Sequence, residues 1–356
     1  MSAADICVDL DDVAGLQEAD RDGLLRGCAM AGAQVRATAT AVEEGALESI
    51  TGGQRPRTVI WLAGRGPAEA AGAMLIAALG GTAGQPLVAA AEVPPWIGPL
   101  DTLVVAGDDP GDPILASAAH TAVRRGARVV VAAPHLGPLR DAVAGRAAVL
   151  EPRLPVPDEF GLCRYLAAGL ATLAAVDPSL MSLDLWALAD ELDAEAMRNS
   201  AGREIFTNPA KALADRMAGR QVVLAGDRPA TCALARHAAA VLLRVGGQPV
   251  AAVGLADALA ALRGIARVAD PVDALFHDEE IDGPRPVRPR VLALALAQER
   301  PPLTARLAGI GDVDMVGVED VGEAGSVPVA TGTEQQLAVL AVRLEMAAVY
   351  LRLAGG

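Results

Sequence analysis

Two short segments of the sequence carry residues that could bind a charged ligand. In the first, Gly64, Arg65 and Gly66 follow an apolar run at 58–63 and precede Pro67. A glycine-rich turn that leads from a strand into a helix presents backbone N–H groups to an anion, and an arginine adds positive charge. The same residues also suit a simple tight turn with proline at the first helical position. The segment is therefore a candidate phosphate-binding loop, with the simple turn as the alternative.

The second segment follows another apolar run and contains three carboxylates, Asp108, Asp109 and Asp112. Carboxylates repel a phosphate unless a cation neutralises them, and we expect Arg65 to pair with this loop. Asp112 stands directly before Pro113, which is typical of a helix N-cap. Asp108 and Asp112 are nevertheless candidate ligand-binding residues. A metal site is not predicted, because the loop offers a single residue type without a nearby histidine.

The composition of the 356-residue chain excludes several classes of function. Lys and Arg number 30 against 44 Asp and Glu, a formal net charge of −14, and the aromatic residues are 3 Trp, 2 Tyr and 3 Phe. Both features oppose nucleic-acid binding, which needs positive charge and rings for stacking. The four cysteines are widely spaced, so neither a disulfide scaffold nor a zinc motif is predicted. Neither a GxxxxGK[ST] phosphate loop nor a GxSxG nucleophile motif occurs.

The uncharged stretch at 70–91 approaches the length of a membrane span. It is interrupted by Gly80-Gly81 and by Gly84-Gln85-Pro86, and its apolar residues are mostly alanine. We interpret it as a helix, a turn and a buried strand. The N-terminal region carries aspartates where a signal peptide would need a basic start and an apolar run. The sequence therefore predicts a cytoplasmic protein that does not associate with membranes.

An internal repeat relates the two halves of the sequence. The segment LAGRGPA at 62–68 returns as LAGDRPA at 224–230, and GQP at 84–86 returns at 247–249. The offsets are 162 and 163 residues, so the spacing agrees within one residue. Two ordered blocks at matching spacing favour a duplicated domain over chance similarity in an alanine-rich chain.

Short apolar runs that alternate with helical patterns predict parallel sheets covered by helices on both faces. The fold class is therefore α/β, with two tandem units related by duplication. Strands are predicted at 58–63, 101–106 and 128–133 in the first half and at 221–225, 290–297 and 313–318 in the second.

Helical patterns precede, join and follow these strands. A single N-terminal helix is predicted at 20–44, and two connecting helices are predicted at 160–176 and 183–197. The tail at 334–353 has a leucine stripe at helical spacing, which predicts one long helix buried in a compact monomer or a homodimer. The stripe consists of Leu337, Leu340, Leu344 and Leu351.

These patterns divide the chain into three parts. Residues 1–155 form an N-terminal helix and the first α/β domain. Residues 156–200 form a helical connector, and residues 201–356 form the second α/β domain with its long final helix.

The segment Asn208-Pro209-Ala210-Lys211, followed by a predicted strand, resembles the start of the second sugar isomerase (SIS) domain in the bifunctional phosphoglucose/phosphomannose isomerase family. The tail at 344–356 is similar to that family's closing helix, and the divergent TobH-like branch is the most similar. The resemblance covers nearly the whole chain and implies two tandem SIS domains. It also implies aldose–ketose isomerisation of a hexose 6-phosphate through a cis-enediol, without metal or organic cofactor. In that family hydroxyl-rich loops hold the phosphate, a glutamate moves the proton and a histidine helps to open the ring.

The sequence departs from the family pattern at each catalytic position. Pro67 stands where the first loop has a serine, and the carboxylates at 106–112 replace the serine- and threonine-rich second loop. No glutamate occurs between Glu204 and Glu279, and the stretch 255–264, where the histidine is expected, contains none. We therefore predict a catalytically degraded member that binds a sugar phosphate or related small molecule, or that regulates a partner. Hexose 6-phosphates should bind weakly at the first-half loops and should not be isomerised.

Two alternatives stay open. One is a structural double-SIS shell retained for oligomerisation. The other is an active glucose 6-phosphate/mannose 6-phosphate isomerase with relocated groups, in which Glu204 would act as the base and His277 or His237 as the acid. The candidates for its phosphate contacts are Arg65, Arg228 and Lys211.

Overall fold

The computed structural model describes residues 8–177, 184–268, 288–320 and 332–355, and their strands form two parallel sheets. The strands are β1 (Thr58–Ala63), β2 (Leu87–Ala90), β3 (Asp101–Ala106), β4 (Arg128–Ala132), β5 (Ala148–Val149), β6 (Val222–Gly226), β7 (Ala251–Gly254), β8 (Arg290–Leu294) and β9 (Val313–Val316). The strand order is β2-β1-β3-β4-β5 in the first sheet and β7-β6-β8-β9 in the second.

The two sheets repeat one arrangement. The order β2-β1-β3-β4 corresponds strand by strand to β7-β6-β8-β9. The repeated LAG segments lie at the ends of β1 and β6, and the repeated GQP segments precede β2 and β7. Leu62 lies beside Ala90 in the first sheet, and Leu224 lies beside Ala252 in the second. The predicted duplication and the parallel α/β fold are confirmed.

Helices cover both faces of each sheet. Four of these helices begin with a proline, because its fixed φ suits a helix start and its missing N–H would be unpaired there; the prolines are Pro67, Pro113, Pro209 and Pro229. The helices are α1 (Val13–Ala19), α2 (Leu24–Ala29), α3 (Ala31–Glu43), α4 (Pro67–Leu79), α5 (Pro113–Arg124), α6 (Gly137–Val143), α7 (Leu162–Val176), α8 (Leu185–Arg198), α9 (Pro209–Met217), α10 (Pro229–Arg244), α11 (Leu255–Val268), α12 (Arg300–Leu307) and α13 (Thr333–Gly355).

The single helix predicted at 20–44 is instead divided into α2 and α3. The chain leaves helical geometry at Met30, where φ is −80° and ψ is 6°. The two helices meet different surfaces: Gly27 of α2 lies close to Pro157 and Phe160, whereas Gly32 of α3 lies against α8. Tertiary packing thus decides the break, which local sequence propensity does not predict.

Each sheet has an outer face and an inner face, and a separate group of helices covers each face. Helices α5 and α6 pack on the outer face of the first sheet, and α11 and α12 pack on the outer face of the second. Between the sheets lies one continuous apolar core, to which both inner sheet faces and helices α3, α4, α7–α10 and α13 contribute. The helices of the predicted connector at 156–200 belong to this central layer. The domain limits at 155 and 200 stay a prediction.

Close helix packing depends on two glycines around Trp61. A Cβ on Gly72 of α4 would lie 2.2 Å from the Trp61 ring, and a Cβ on Gly169 of α7 would lie 2.2 Å from Leu75. The Trp61 indole N–H donates to the carbonyl of Ala68 at 2.9 Å. Glycine therefore lets both helices pack closely against the Trp61 ring and its neighbour Leu75.

Helix α13 lies almost wholly inside the central layer. Leu337, Leu340 and Leu344 are fully buried and Leu351 is half-buried, so the predicted leucine stripe is confirmed as buried. The expected compact monomer or homodimer stays a prediction. No helix in the part of the chain that the structure describes is both long and apolar enough to cross a bilayer.

Candidate functional site

A cleft of about 1070 Å³ opens at the carboxyl ends of the strands of the first sheet. Ligands of open parallel sheets bind in this position, where strand-to-helix loops converge. The loops after β1 and β3 lie side by side, since the N–H of Gly64 donates to the carbonyl of Ala106 at 2.8 Å. The charged residues that line the cleft are Arg65, Glu69, Asp108, Asp109, Asp112, Asp158 and Arg244.

The geometry of the turn after β1 fits both interpretations of its sequence, a phosphate-binding loop and a simple tight turn. Gly66 has a φ of +83°, a backbone conformation that glycine adopts without strain, and Pro67 begins α4 directly after it. The first turn of α4 leaves backbone N–H groups without helical partners. Arg65 is exposed at this end of the cleft, and no described residue forms an ion pair with it. The turn is tight, and it also carries an available cation.

The cation that neutralises Asp108 is Arg164, not Arg65. The Nη2 atom of Arg164 lies 2.5 Å from Oδ1 of Asp108, and the hydroxyl of Tyr165 donates to the same oxygen at 2.5 Å. Burial is the main cause that raises the pKa of Tyr165, and the Asp108 carboxylate adds to it. The prediction that Arg65 neutralises a carboxylate of this loop is therefore wrong, because the start of α7 places Arg164 beside the loop.

The other two aspartates of this loop hold its backbone. Asp112 Oδ1 accepts from the N–H of Ile114 at 2.8 Å, so the predicted N-cap is confirmed. Asp109 Oδ1 accepts from the N–H of Gly111 at 2.7 Å. No metal-binding group of three or more histidine, cysteine or acidic residues occurs within the described ranges.

Two further charged residues of the cleft, Asp158 and Arg244, were missed by sequence reasoning. Burial is the main cause that raises the pKa of Asp158, and the carboxylates of Asp108 and Glu159 add to it. Arg244, at the end of α10, lies 2.9 Å from Glu159 Oε1 and next to Gly66. The only sequence signal for Arg244 is its place at the end of the repeated helix, because its partners come from the other half.

In the second half, both charged residues of the equivalent loop after β6 form ion pairs. Asp227, which stands where the first half has Arg65, lies 2.7 Å from Arg306. The candidate Arg228 lies 3.5 Å from Glu299 and is mostly exposed. Burial is the main cause that raises the pKa of Glu299. Arg228 thus lies just beyond the carboxyl end of β6, an interior strand of the second sheet, and does not join the residues of the cleft.

The remaining candidates do not meet at the cleft. Lys211 is fully buried, and its Nζ donates to the carbonyls of Ala201 at 2.8 Å and Arg203 at 2.7 Å. Burial lowers the pKa of Lys211. This lysine therefore makes a structural contact where the sequence predicted a phosphate contact. Glu204 is exposed outside the cleft lining, and His277 lies outside the described residues.

Comparison with known proteins identifies the fold. No family model matches the sequence, and no curated protein matches it. Among solved structures, a proposed phosphosugar isomerase of Clostridium difficile is 14% identical with a TM-score of 0.62, over 94% of this chain and 93% of that chain. Tagatose-6-phosphate ketose/aldose isomerase of Escherichia coli is 14% identical with a TM-score of 0.58, over 99% and 96%.

A third similar structure is the C-terminal domain of glucosamine-fructose-6-phosphate aminotransferase from Francisella tularensis. It is 10% identical with a TM-score of 0.59, over 95% of this chain and 98% of that domain. At these identities the likeness concerns the fold. The chain has the double-SIS α/β fold, with two parallel sheets flanked by helices.

Proposed function

We propose that the chain binds a phosphosugar in the cleft of the first sheet without isomerising it. The observation that carries this proposal is the pairing of Asp108 with Arg164, which leaves Arg65 available for a ligand. Two of the proteins with a similar fold are named as enzymes of hexose 6-phosphates, which supports this ligand class. The resemblance of the segment at 208–211 favours glucose 6-phosphate and mannose 6-phosphate as the first compounds to test.

Two neighbouring loops of the cleft suit the two parts of such a ligand. Arg65 and the first turn of α4, with Gly64 and Gly66, would hold the phosphate. Asp108 and Asp112 of the loop after β3 would accept hydrogen bonds from sugar hydroxyls. Because the lining remains rich in carboxylates, we expect weak binding of a dianion.

The lining is poor in groups that could perform an isomerisation. Among the described residues that line it there is no serine, threonine, histidine or lysine, and the carboxylates of Asp108, Asp109 and Asp112 already accept hydrogen bonds. An enediol mechanism needs a base above the reacting carbon and donors that stabilise the enediolate. A regulatory or ligand-sensing role therefore fits the cleft better than catalysis.

Calorimetric titration tests the proposal. Glucose 6-phosphate and mannose 6-phosphate should bind, and Arg65→Gln should weaken them about tenfold or more, since a hydrogen bond to a charged group contributes about 1.5–3 kcal/mol. Arg153→Gln, at an exposed ion pair outside the cleft, is the matched control. A coupled assay should detect no turnover. If no sugar phosphate binds, the structural-shell alternative gains support.

The raised pKa of Asp158 favours a second candidate, an isomerase in which this carboxyl group moves the proton. Such an enzyme would convert hexose 6-phosphates in the coupled assay, and Asp158→Asn would abolish turnover while binding remained. Glu204→Gln would then leave the rate unchanged, because Glu204 is exposed outside the cleft.

A further inference from the structure

A groove between α4 and α10 continues from the cleft. Its volume is about 280 Å³, and it shares Gly66, Pro67, Glu69 and Arg244 with the cleft lining. Alanines from both helices form its walls, and their small side chains leave the space between the helices open. The basic residues that line it are Arg236, His237 and Arg244.

His237 lies at the buried end of this groove. Its side chain is 3% exposed, and its Nε2 atom lies 2.8 Å from Oε1 of Glu345 on α13. Among the residues that the structure describes, the other ring nitrogen, Nδ1, has no hydrogen-bond partner. A buried carboxylate thus orients the imidazole and leaves one nitrogen for a molecule in the groove.

The charged and titratable groups around His237 come from several helices. Arg236 and Arg244 lie on the same helix, Glu69 faces them from α4, and Glu345 approaches from α13. Cys28 of α2 lies 3.9 Å from Glu345, and burial raises the pKa of its thiol. Cys163 of α7 is also buried, and burial raises its pKa. Both thiols are therefore neutral. Arg244 is paired with Glu159 at 2.9 Å, so of the two arginines that line the groove, Arg236 is the one without a carboxylate partner among the described residues.

We propose that the groove is a second anion site, for a dianion of the phosphate or sulfate class. A dianion at Nδ1 and the Glu345 carboxylate at Nε2 both accept hydrogen bonds, so both ring nitrogens must donate, and the bound form of His237 is the imidazolium. Arg236 and Arg244 contact the anion at the mouth of the groove. The occupant is either a free anion or the second anionic group of a molecule that also enters the cleft.

Sulfate is the probe that tests this site, because it carries the same double negative charge as a phosphate dianion. The titrations use the Arg65→Gln protein, which removes the available cation of the cleft. Arg236→Gln and His237→Gln should each weaken sulfate binding about tenfold or more, because each removes a charge-assisted hydrogen bond to the anion. Arg263→Gln, an exposed arginine on α11, is the control.

A sugar bisphosphate distinguishes the two sources of the anion. If it binds the unmodified protein more tightly than a monophosphate does, and Arg236→Gln removes the difference, the second anion belongs to the cleft ligand. Equal affinity of the two sugars together with sulfate binding identifies a free anion. The proposal is overturned if Arg236→Gln and His237→Gln leave sulfate binding unchanged. Arg236 is exposed, so this test does not depend on the folding of the His237 variant. The Arg65→Gln test of phosphosugar binding in the cleft is a separate experiment, and its outcome does not depend on sulfate binding in the groove.

Discussion

The two halves of the molecule share one topology, but they differ in the charged residues of the loops that follow β1 and β6. In the first half, Arg65 is unpaired among the described residues at the edge of a large cleft. In the second half, Asp227 occupies the equivalent position and pairs with Arg306. The two sheets therefore share one strand order, but their equivalent loops differ in charge. In the second half Asp227 forms an ion pair with Arg306, whereas in the first half Arg65 is exposed. This difference supports the proposal that the ligand binds in the first half.

The halves also differ in the helix that closes each of them. Helix α7 packs against α4 with an almost entirely apolar buried face, whereas α13 packs against α10 and buries Arg343 and Glu345. Arg343 is 1% exposed and lies 2.7 Å from Glu195 of α8, which is also fully buried. A fully buried ion pair thus helps to fix the last helix of the second half, whereas α7 packs mainly through apolar side chains and makes its ion pair, Arg164–Asp108, in its first turn.

The largest expected effect tests this difference. Arg343→Met should lower the free energy of unfolding by up to about 3–5 kcal/mol, because the buried Glu195 would keep only the partly exposed Arg198 as counter-charge. Urea denaturation measures the change. Leu166→Met in α7 is the matched control and should cost less than about 1.5 kcal/mol. If the double variant Arg343→Met/Glu195→Leu is as unstable as the single one, the uncompensated carboxylate is not the cause.

The equivalent glycines of the two repeats, Gly64 and Gly226, differ in the space around them. A Cβ on Gly226 would lie 2.3 Å from the backbone nitrogen of Cys232, whereas a Cβ on Gly64 would have its nearest contact at 3.7 Å. Gly226→Ala should therefore cost about 1–3 kcal/mol of stability, the range typical of overpacking. Gly64→Ala should be almost neutral in the same denaturation assay. Equal costs would contradict the proposed difference between the two turns.

Removal of the ion pair in the second loop should have a small effect. Asp227→Asn should cost less than about 1 kcal/mol, since the pair with Arg306 is partly exposed. It should also leave sugar-phosphate affinity unchanged, because the binding cleft lies in the other half. A gain of binding on this substitution would show that the second loop is a masked ligand site.

The smallest effect concerns the pH dependence of stability. Because the folded protein raises the pKa of Asp158, ionisation of this group is less favourable in the folded than in the unfolded state. Stability should therefore fall as pH rises from about 4, the ordinary pKa of aspartate, through the raised pKa of Asp158. Asp158→Asn should remove this fall without changing stability at lower pH. Denaturation curves at pH 3.5 and 7 provide the measurement.

The sequence predicts the fold well where one apolar run forms one strand. Strands at 58–63 and 101–106 have the bounds of β1 and β3, since glycine, charged or proline-containing turns border both. The run at 290–297 is longer than β8, because Leu296 and Glu299 form a helical turn in which the side chain of Glu299 accepts from the N–H of Leu296. The local sequence pattern shows which residues are apolar, but it does not show where the hydrogen bonds between neighbouring strands end.

The site is predicted only where its contacts are local. Asp112 and Pro113 are adjacent, so the N-cap is visible in the sequence. Arg164 lies 56 residues from Asp108, and His237 lies 108 residues from Glu345. Both pairs depend on how α7 and α13 dock into the central layer, and no periodicity in the sequence carries that information.

The buried contact of Lys211 also determines how the protein responds to chemical modification. Lys211 is the only lysine in the chain, and its amine is fully buried against two backbone carbonyls. Amine-directed labels and cross-linkers consequently find no accessible lysine on the folded protein, although the surface is rich in arginine and carboxylates. The rate at which Lys211 is acylated then measures how often the helix α9 region opens, which makes this residue a built-in reporter of local unfolding.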